Sequence, residues 1–161
     1  MVIKDIKRFS DTRYKARAYI CYLFSRNLPN RLPGVCLENI KAGFDKISHE
    51  IENFDAIYIL DENGIQIEDS ISLNEKYKIL KGENRANKAY YYTAVREKRC
   101  VLSDPYPSSL NGGLCVTASV PIYNEKNELK FIACIDISLE NILNMVDSGF
   151  VEEHFGRFLK T

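Results

Sequence analysis

The chain has no tryptophan, only two histidines, and no net charge, with 22 basic residues set against 22 acidic ones. A dedicated nucleic-acid binder carries a basic excess, so the balance argues against that class of partner. With His49 and His154 alone, and neither beside a Cys, Asp or Glu group of ligand spacing, the sequence gives no sign of a metal centre. No apolar run approaches the ~20 residues that span a bilayer. The N-terminal stretch is too charged for a signal peptide. GxSxG, HExxH, P-loop and GxGxxG motifs are missing, and no acid pair is set apart by its surroundings. Catalytic residues are therefore not assigned, and neither an enzyme nor a cofactor is expected.

The five cysteines, Cys21, Cys36, Cys100, Cys115 and Cys134, contain no CxxC spacing. Their apolar neighbours read as small buried hydrophobes in a reducing compartment. At 161 residues the chain suits one domain, with room for a core. Ten tyrosines and eight phenylalanines supply the aromatics, and tyrosine makes a wall that is apolar yet carries a hydroxyl.

Periodicity orders the chain. Lys4 to Arg26 reads as a helix with a loose stripe of Ile6, Phe9, Ala16, Ile20 and Leu23, interrupted at Arg13. Pro29, Pro33 and Gly34 break it. Leu37, Ile40, Phe44, Ile47, Ile51 and Phe54 then alternate steps of three and four, the cleanest helical signal present. That stripe packs on the chain's own core or forms a dimer seam. Ala56 to Leu60 and Ile65 to Glu68 read as a hairpin around Asn63-Gly64. Leu73 to Lys81 is expected to be a short helix or loop, and a helix is expected from Arg85 to about Lys98. Arg99 to Ser103, Leu114 to Tyr123 and Leu129 to Ile137 read as strands. Asp104 to Ser109 is expected to leave the sheet, because two prolines remove ladder donors. Ser138 has the chemistry of an N-cap for a helix over Leu139 to Met145, and the tail from Asp147 is expected to form another helix. Hairpin-joined strands with helices to one side make an α+β fold on an antiparallel sheet.

One acid stands out. Period two puts Ile132, Cys134 and Asp136 on one face of a strand, where a carboxylate needs a partner. Asp136 meets a cationic group such as a ligand amine, or accepts backbone donors at the start of the following helix. Tyr90, Tyr91 and Tyr92 lie ~100° apart on a helix, so one or two face the sheet. Arg85 and Lys88 precede them and place a cation at a pocket mouth or simply meet water. Tyr106, on a proline-stiffened loop, covers a ligand or closes the core edge.

These residues carry a resemblance. Tyr90-Tyr91-Tyr92-Thr93-Ala94, Ser103-Asp104-Pro105-Tyr106, Val120-Pro121-Ile122-Tyr123 and Asp136-Ile137-Ser138-Leu139 follow one another as in the Cache (PAS-like, PDC-type) sensor domains of bacterial chemoreceptors and sensor kinases. The resemblance covers residues 1 to about 146 and implies a PAS-like five-stranded antiparallel sheet with a long N-terminal helix behind it. It implies a single sensor domain over 1–146, with a helical region over 1–54, and a helical tail over 147–161. It also implies a ligand held between sheet and covering loops. Amino-acid-binding members use an Arg two residues before the aromatic pair for the carboxylate, and an acid on the last strand for the amine. By position these become Lys88, Tyr90 with Tyr91, Tyr106 and Asp136. Lys88 departs from the pattern, since a point charge does not make a bidentate fork with a carboxylate. Tyr90 stands where these domains usually have Trp; either the ligand is not a standard amino acid, or Arg85, one turn away, takes over from Lys88.

The expected function is a small-molecule sensor in signal transduction, binding an amino acid, small carboxylate or amine at Arg85, Lys88, Tyr90, Tyr91, Tyr106 and Asp136. The alternative is a ligand-free PAS-like scaffold for protein interaction or dimerisation. Expected partners are the ligand, a second copy through the N-terminal helices and a signalling protein. As the chain stands it reads as a stand-alone soluble, cytoplasmic member; as a piece of a membrane receptor it would be extracytoplasmic.

Overall fold

Apolar residues spaced by three and four draw two helices onto one side of a sheet. The computed structural model of the chain describes residues 2–28, 36–51, 53–72, 81–108 and 112–149. Helix α1 (Val2–Asn27) and helix α2 (Leu37–Glu50) come first. Strand β1 (Ala56–Asp61), helix α3 (Ala89–Glu97), and strands β2 (Val101–Leu102), β3 (Tyr106–Pro107), β4 (Leu114–Tyr123) and β5 (Leu129–Ser138) follow, then helix α4 (Leu139–Asp147). The five strands are antiparallel in the order β1-β5-β4-β2, and β3 also pairs with β4. This is the α+β, PAS-like architecture that the sequence implied.

Strand alternation sorts the sheet into two faces. Ile57, Ile59, Val116, Ala118, Ala133, Ile135 and Ile137 join one core with Phe9, Ile20 and Leu23 of α1, Ile40, Phe44 and Ile47 of α2, and Ile142 and Leu143 of α4. The clean stripe of α2 is thus spent inside the chain's own core. Helix α2 ends at Glu50, short of the expected Phe54, with Ile51 as its cap, although Ile51 and Phe54 are buried as their spacing predicts. Ile6, placed on the α1 stripe by its spacing, is 40% exposed instead.

Gly43 sits where α2 meets the end of α1. A Cβ there would lie 2.7 Å from Leu28 Cδ2 and closer still to the Asn27 carbonyl oxygen. Overpacking of a tight contact costs about 1–3 kcal/mol. Gly43→Ala is expected to lower the unfolding free energy by that amount, read as a lower urea midpoint with the slope unchanged; an unaltered midpoint would show that the helices separate freely.

The other differences are local. The hairpin turn forms, with Gly64 at φ +84, but Ile65 and Gln66 make isolated bridges to Asn84 and Leu60 rather than a strand. Helix α3 starts at Ala89 instead of Arg85. Tyr106 and Pro107 do not leave the sheet: they pair with Cys115 and Leu114 at its margin, where a residue without a donor is tolerated. Residues 73–80, expected as a short helix or loop, and the tail over 150–161, expected as a helix, lie outside the described residues. Ser138 caps α4 as expected, its Oγ accepting from the Asn141 amide at 3.1 Å.

The cysteine reading needs a larger correction. Cys21 of α1 and Cys100 form a disulfide across 79 positions, with Cα atoms 5.9 Å apart. Cys115 and Cys134 are buried and free, as expected, and Cys36 is half-buried. The bridge belongs to a larger attachment. Arg13, Arg17 and Cys21 stand four apart on one face of α1. Arg17 donates to the Cys100 carbonyl at 2.8 Å, and Arg13 donates to the Ser103 carbonyl and pairs with Asp104. The interruption of the apolar stripe at Arg13 is therefore the place where α1 grips the segment leading to Tyr106.

Candidate ligand site

The second face of the sheet carries the polar chemistry. Asp136 lies on β5 between Ala56 of β1 and Thr117 of β4, and it is 6% exposed. Its Oδ1 accepts two hydroxyl hydrogen bonds, from Tyr58 at 2.8 Å and Thr117 at 2.7 Å. Tyr58 reaches it diagonally from its position opposite Cys134, a span within reach of an aromatic side chain. Because the Thr117 proton is committed to Asp136, the short contact between Tyr106 and Thr117 has Tyr106 as donor. Oδ2 has no donor among the described residues. The backbone donors of α4 are not used by this carboxylate, since Ser138 takes that role.

Three tyrosines cluster near the acid. Tyr90, 3% exposed, meets Tyr58 edge-on with centroids 6.4 Å apart and stacks on Tyr106 at 6.2 Å. These are favourable arrangements for rings carrying a quadrupole. Arg85 is delivered by the hairpin. Its amide donates to the Gly64 carbonyl at 2.8 Å, and a Cβ on Gly64 would lie 2.9 Å from Ala86 Cα. The guanidinium then lies 5.2 Å from the Tyr58 ring centroid, with Nη1 3.4 Å from the Tyr90 hydroxyl. Its buried Nε has no acceptor among the described residues.

Burial raises the Asp136 carboxyl from 3.8 to about 6, against the pull of the Thr117 and Tyr58 hydrogen bonds and of the Arg85 charge. Burial, with the neighbouring Asp136, pushes Tyr58, Tyr90 and Tyr106 upward, so all three stay protonated donors. Burial works against the charge of Arg85, yet Tyr90, Tyr58 and Asp136 together hold its pKa above the ordinary value. Arg85 and Asp136 influence each other through charge, and no hydrogen bond joins them among the described residues.

Of the sequence candidates, the fold brings Arg85, Tyr90, Tyr106 and Asp136 together. Lys88 is exposed at the N-cap of α3 and lines an outer cleft of about 550 Å³ with Tyr90, Tyr92, Pro105 and Tyr106. A second cleft of about 350 Å³, with Arg13, Arg17 and Arg99, shares Tyr90 as a wall. Asp136 lines neither of these two clefts. Tyr91 packs against the same cluster as Tyr58 and Tyr90, with its hydroxyl donating to the Glu62 carbonyl at 2.7 Å. Tyr58 and Thr117 were not singled out from sequence. The signal that finds Thr117 is strand register, which places it directly beside Asp136.

Comparison with known proteins decides the family. The profile of the methyl-accepting chemotaxis protein-like, first PDC sensor domain family matches residues 31–144. The chain belongs to this family. No curated protein matches the sequence. Among solved structures, the PDC chain is similar to the ligand-binding domain of the Campylobacter jejuni chemoreceptor Tlp3 in complex with 4-methylisoleucine. That likeness has 19% identity and a TM-score of 0.62, over 88% of this chain and 57% of that one. The ligand-binding domain of the Pseudomonas aeruginosa PAO1 amino acid chemoreceptor PctC in complex with GABA gives 19% identity and 0.55, over 81% and 61%. The Bacillus subtilis YkuI protein, with an EAL domain and in complex with c-di-GMP and calcium, gives 17% and 0.58, over 84% and 35%. At such identities the likeness shows the fold. The PDC chain spans about three fifths of the two chemoreceptor domains, at 57% and 61% of their lengths. Among its described residues, no helix is long and apolar enough to cross a membrane.

Proposed function

We propose that this PDC domain senses a small molecule carrying a primary amine, held at Asp136, and that it is not an enzyme. The observation that carries this reading is the Asp136 carboxylate: buried, fixed at Oδ1 by Tyr58 and Thr117, and with no donor to Oδ2 among the described residues. A buried charge of this kind calls for an opposite charge, which a ligand ammonium supplies through charge-assisted hydrogen bonds. The stacked Tyr90 and Tyr106 add an aromatic wall suited to a cation. Arg85 supplies the group for a ligand carboxylate, so amino acids fit the same site, and Lys88 stands at its mouth. The Tlp3 and PctC domains carry 4-methylisoleucine and GABA, both amine-bearing carboxylates, which agrees with this reading.

The exposed Ile3, Ile6 and Tyr14 of α1 support a second copy or a signalling protein as the receiver of the binding event. The Cys21–Cys100 disulfide supports an oxidising, extracytoplasmic setting. The test is a thermal-shift titration with primary amines, amino acids and amine-free carboxylates, above the pH at which Asp136 ionises. A ligand at a hundred times its Kd stabilises by about 2.7 kcal/mol. Amine-bearing ligands are expected to shift the midpoint, and Asp136→Ala to erase the shift. Stabilisation by carboxylates alone, indifferent to Asp136, would refute the reading; no stabilisation by any of them, with the variant equally folded, would favour a ligand-free scaffold.

A further inference from the structure

We propose that the cleft of about 350 Å³ where α1, α3 and β2 meet is a second binding site, for a phosphate group, with Arg17 as its anchor. The inference does not rest on the amine reading, and the two share only Tyr90. Arg13 and Arg17 stand one turn apart on α1, Ala89 and Thr93 one turn apart on α3, and both pairs line the cleft. Short side chains on α3 leave room where long cationic ones come from α1. The volume falls at the low end of the range of small-ligand sites, about 300–1,000 Å³.

The charges in the cleft are unequally matched. Arg13 pairs with Asp104 and Arg99 with Glu97. Arg17 pairs with no acid among the described residues, and its hydrogen bond is the donation to the Cys100 carbonyl. Its other N–H groups make no hydrogen bond among the described residues and are not sealed from water. Burial, then the like charge of Arg99, lowers the Arg17 guanidinium, and Glu97 opposes them without cancelling them. Thr93 brings a hydroxyl that is also unbonded among the described residues.

A bound oxyanion answers these deficits together. Its charge relieves the repulsion between Arg17 and Arg99, and its oxygens accept from the guanidinium and the hydroxyl. A carboxylate presents two oxygens in one plane and matches a single fork. A phosphate group presents oxygens in several directions, which suits donors arriving from two helices. Bound there, it joins α1 to α3 beside the Cys21–Cys100 bridge.

Isothermal titration calorimetry at fixed ionic strength tests this with inorganic phosphate, glycerol phosphate and acetate. The proteins are the parent, Arg17→Gln, Arg99→Gln and Lys126→Gln. Lys126 lies in the β4–β5 turn outside the cleft, so its variant loses the same charge elsewhere. The parent is expected to bind a phosphate compound more tightly than acetate, and the tighter of the two names the free ion or the ester as the source. Arg17→Gln is expected to weaken that binding about tenfold or more. Lys126→Gln is expected to leave it unchanged. Arg99→Gln is expected to weaken it several-fold, and it keeps the test open should loss of the Arg17–Cys100 contact prevent folding. Absence of phosphate binding in the parent, equal losses in Arg17→Gln or Arg99→Gln and Lys126→Gln, or acetate bound as tightly as phosphate would each overturn the proposal.

Discussion

Relative to Asp136→Asn, the ligand-free protein is expected to lose about 3 kcal/mol of stability as pH rises from below 4 to above 6. The cause is the raised carboxyl, at about 6 in the folded chain against an ordinary 3.8. Each unit of difference is worth about 1.4 kcal/mol. A raised folded pKa favours the protonated form, so the contribution is whole below the unfolded value. It then falls while the unfolded chain ionises and the folded one does not, and is gone once the folded group titrates. Asp136→Asn keeps the shape and the acceptor for Tyr58 and Thr117 but has no proton to lose. Subtracting the two urea-derived stability profiles isolates this group from the other carboxylates. The same titration governs the ligand: an ammonium needs the ionised acid, so affinity for amines should rise about tenfold per unit up to about pH 6 and then level. A flat difference profile would mean that Asp136 is ionised without help, and the buried acid would then not be what an amine relieves.

Removing the Cys21–Cys100 bridge is the second large effect. A loop closed over 79 positions restrains the unfolded chain by about 4–5 kcal/mol in the chain-entropy account. Cys21→Ser with Cys100→Ser, or reduction of the native protein, is expected to lower the thermal midpoint by about 10–15 °C. The free thiols of Cys115 and Cys134 are buried, and burial raises both, so they should react slowly with a thiol reagent until the bridge is cut and the fold loosened. Equal midpoints in oxidised and reduced protein would show that the helix and the Cys100 segment hold together without the bond.

Local pattern carried most of the architecture. The steps of three and four in α2 and the alternation in β4 and β5 each name a face without reference to the rest of the chain. Asp136 was legible for the same reason, one acid in an apolar period-two run. Its partners were not. Tyr58 lies 78 positions away in an apolar strand where a tyrosine reads as core, and only the β1–β5 register makes it a neighbour. Cys21 and Cys100 are as remote, and spacing alone pairs no cysteines over such a distance. Tyr106 and Pro107 misled because proline forbids a donor, not a place at the margin of a sheet. Arg85 was placed on a helix, whereas the Gly64 turn presents it from a loop, and that is how it faces Tyr58.

The three attachments of α1 to the Cys100–Asp104 segment make the long helix a lever whose fulcrum sits beside the tyrosine cluster. One is covalent and two are guanidinium contacts, all within two turns of the helix. At 1.5 Å per residue, 26 residues extend about 39 Å, with Arg13 near the middle. A small tilt at this fulcrum would be magnified toward the N-terminal end of the helix, where Ile3 and Ile6 face outward and Arg8 pairs with Asp147 of α4.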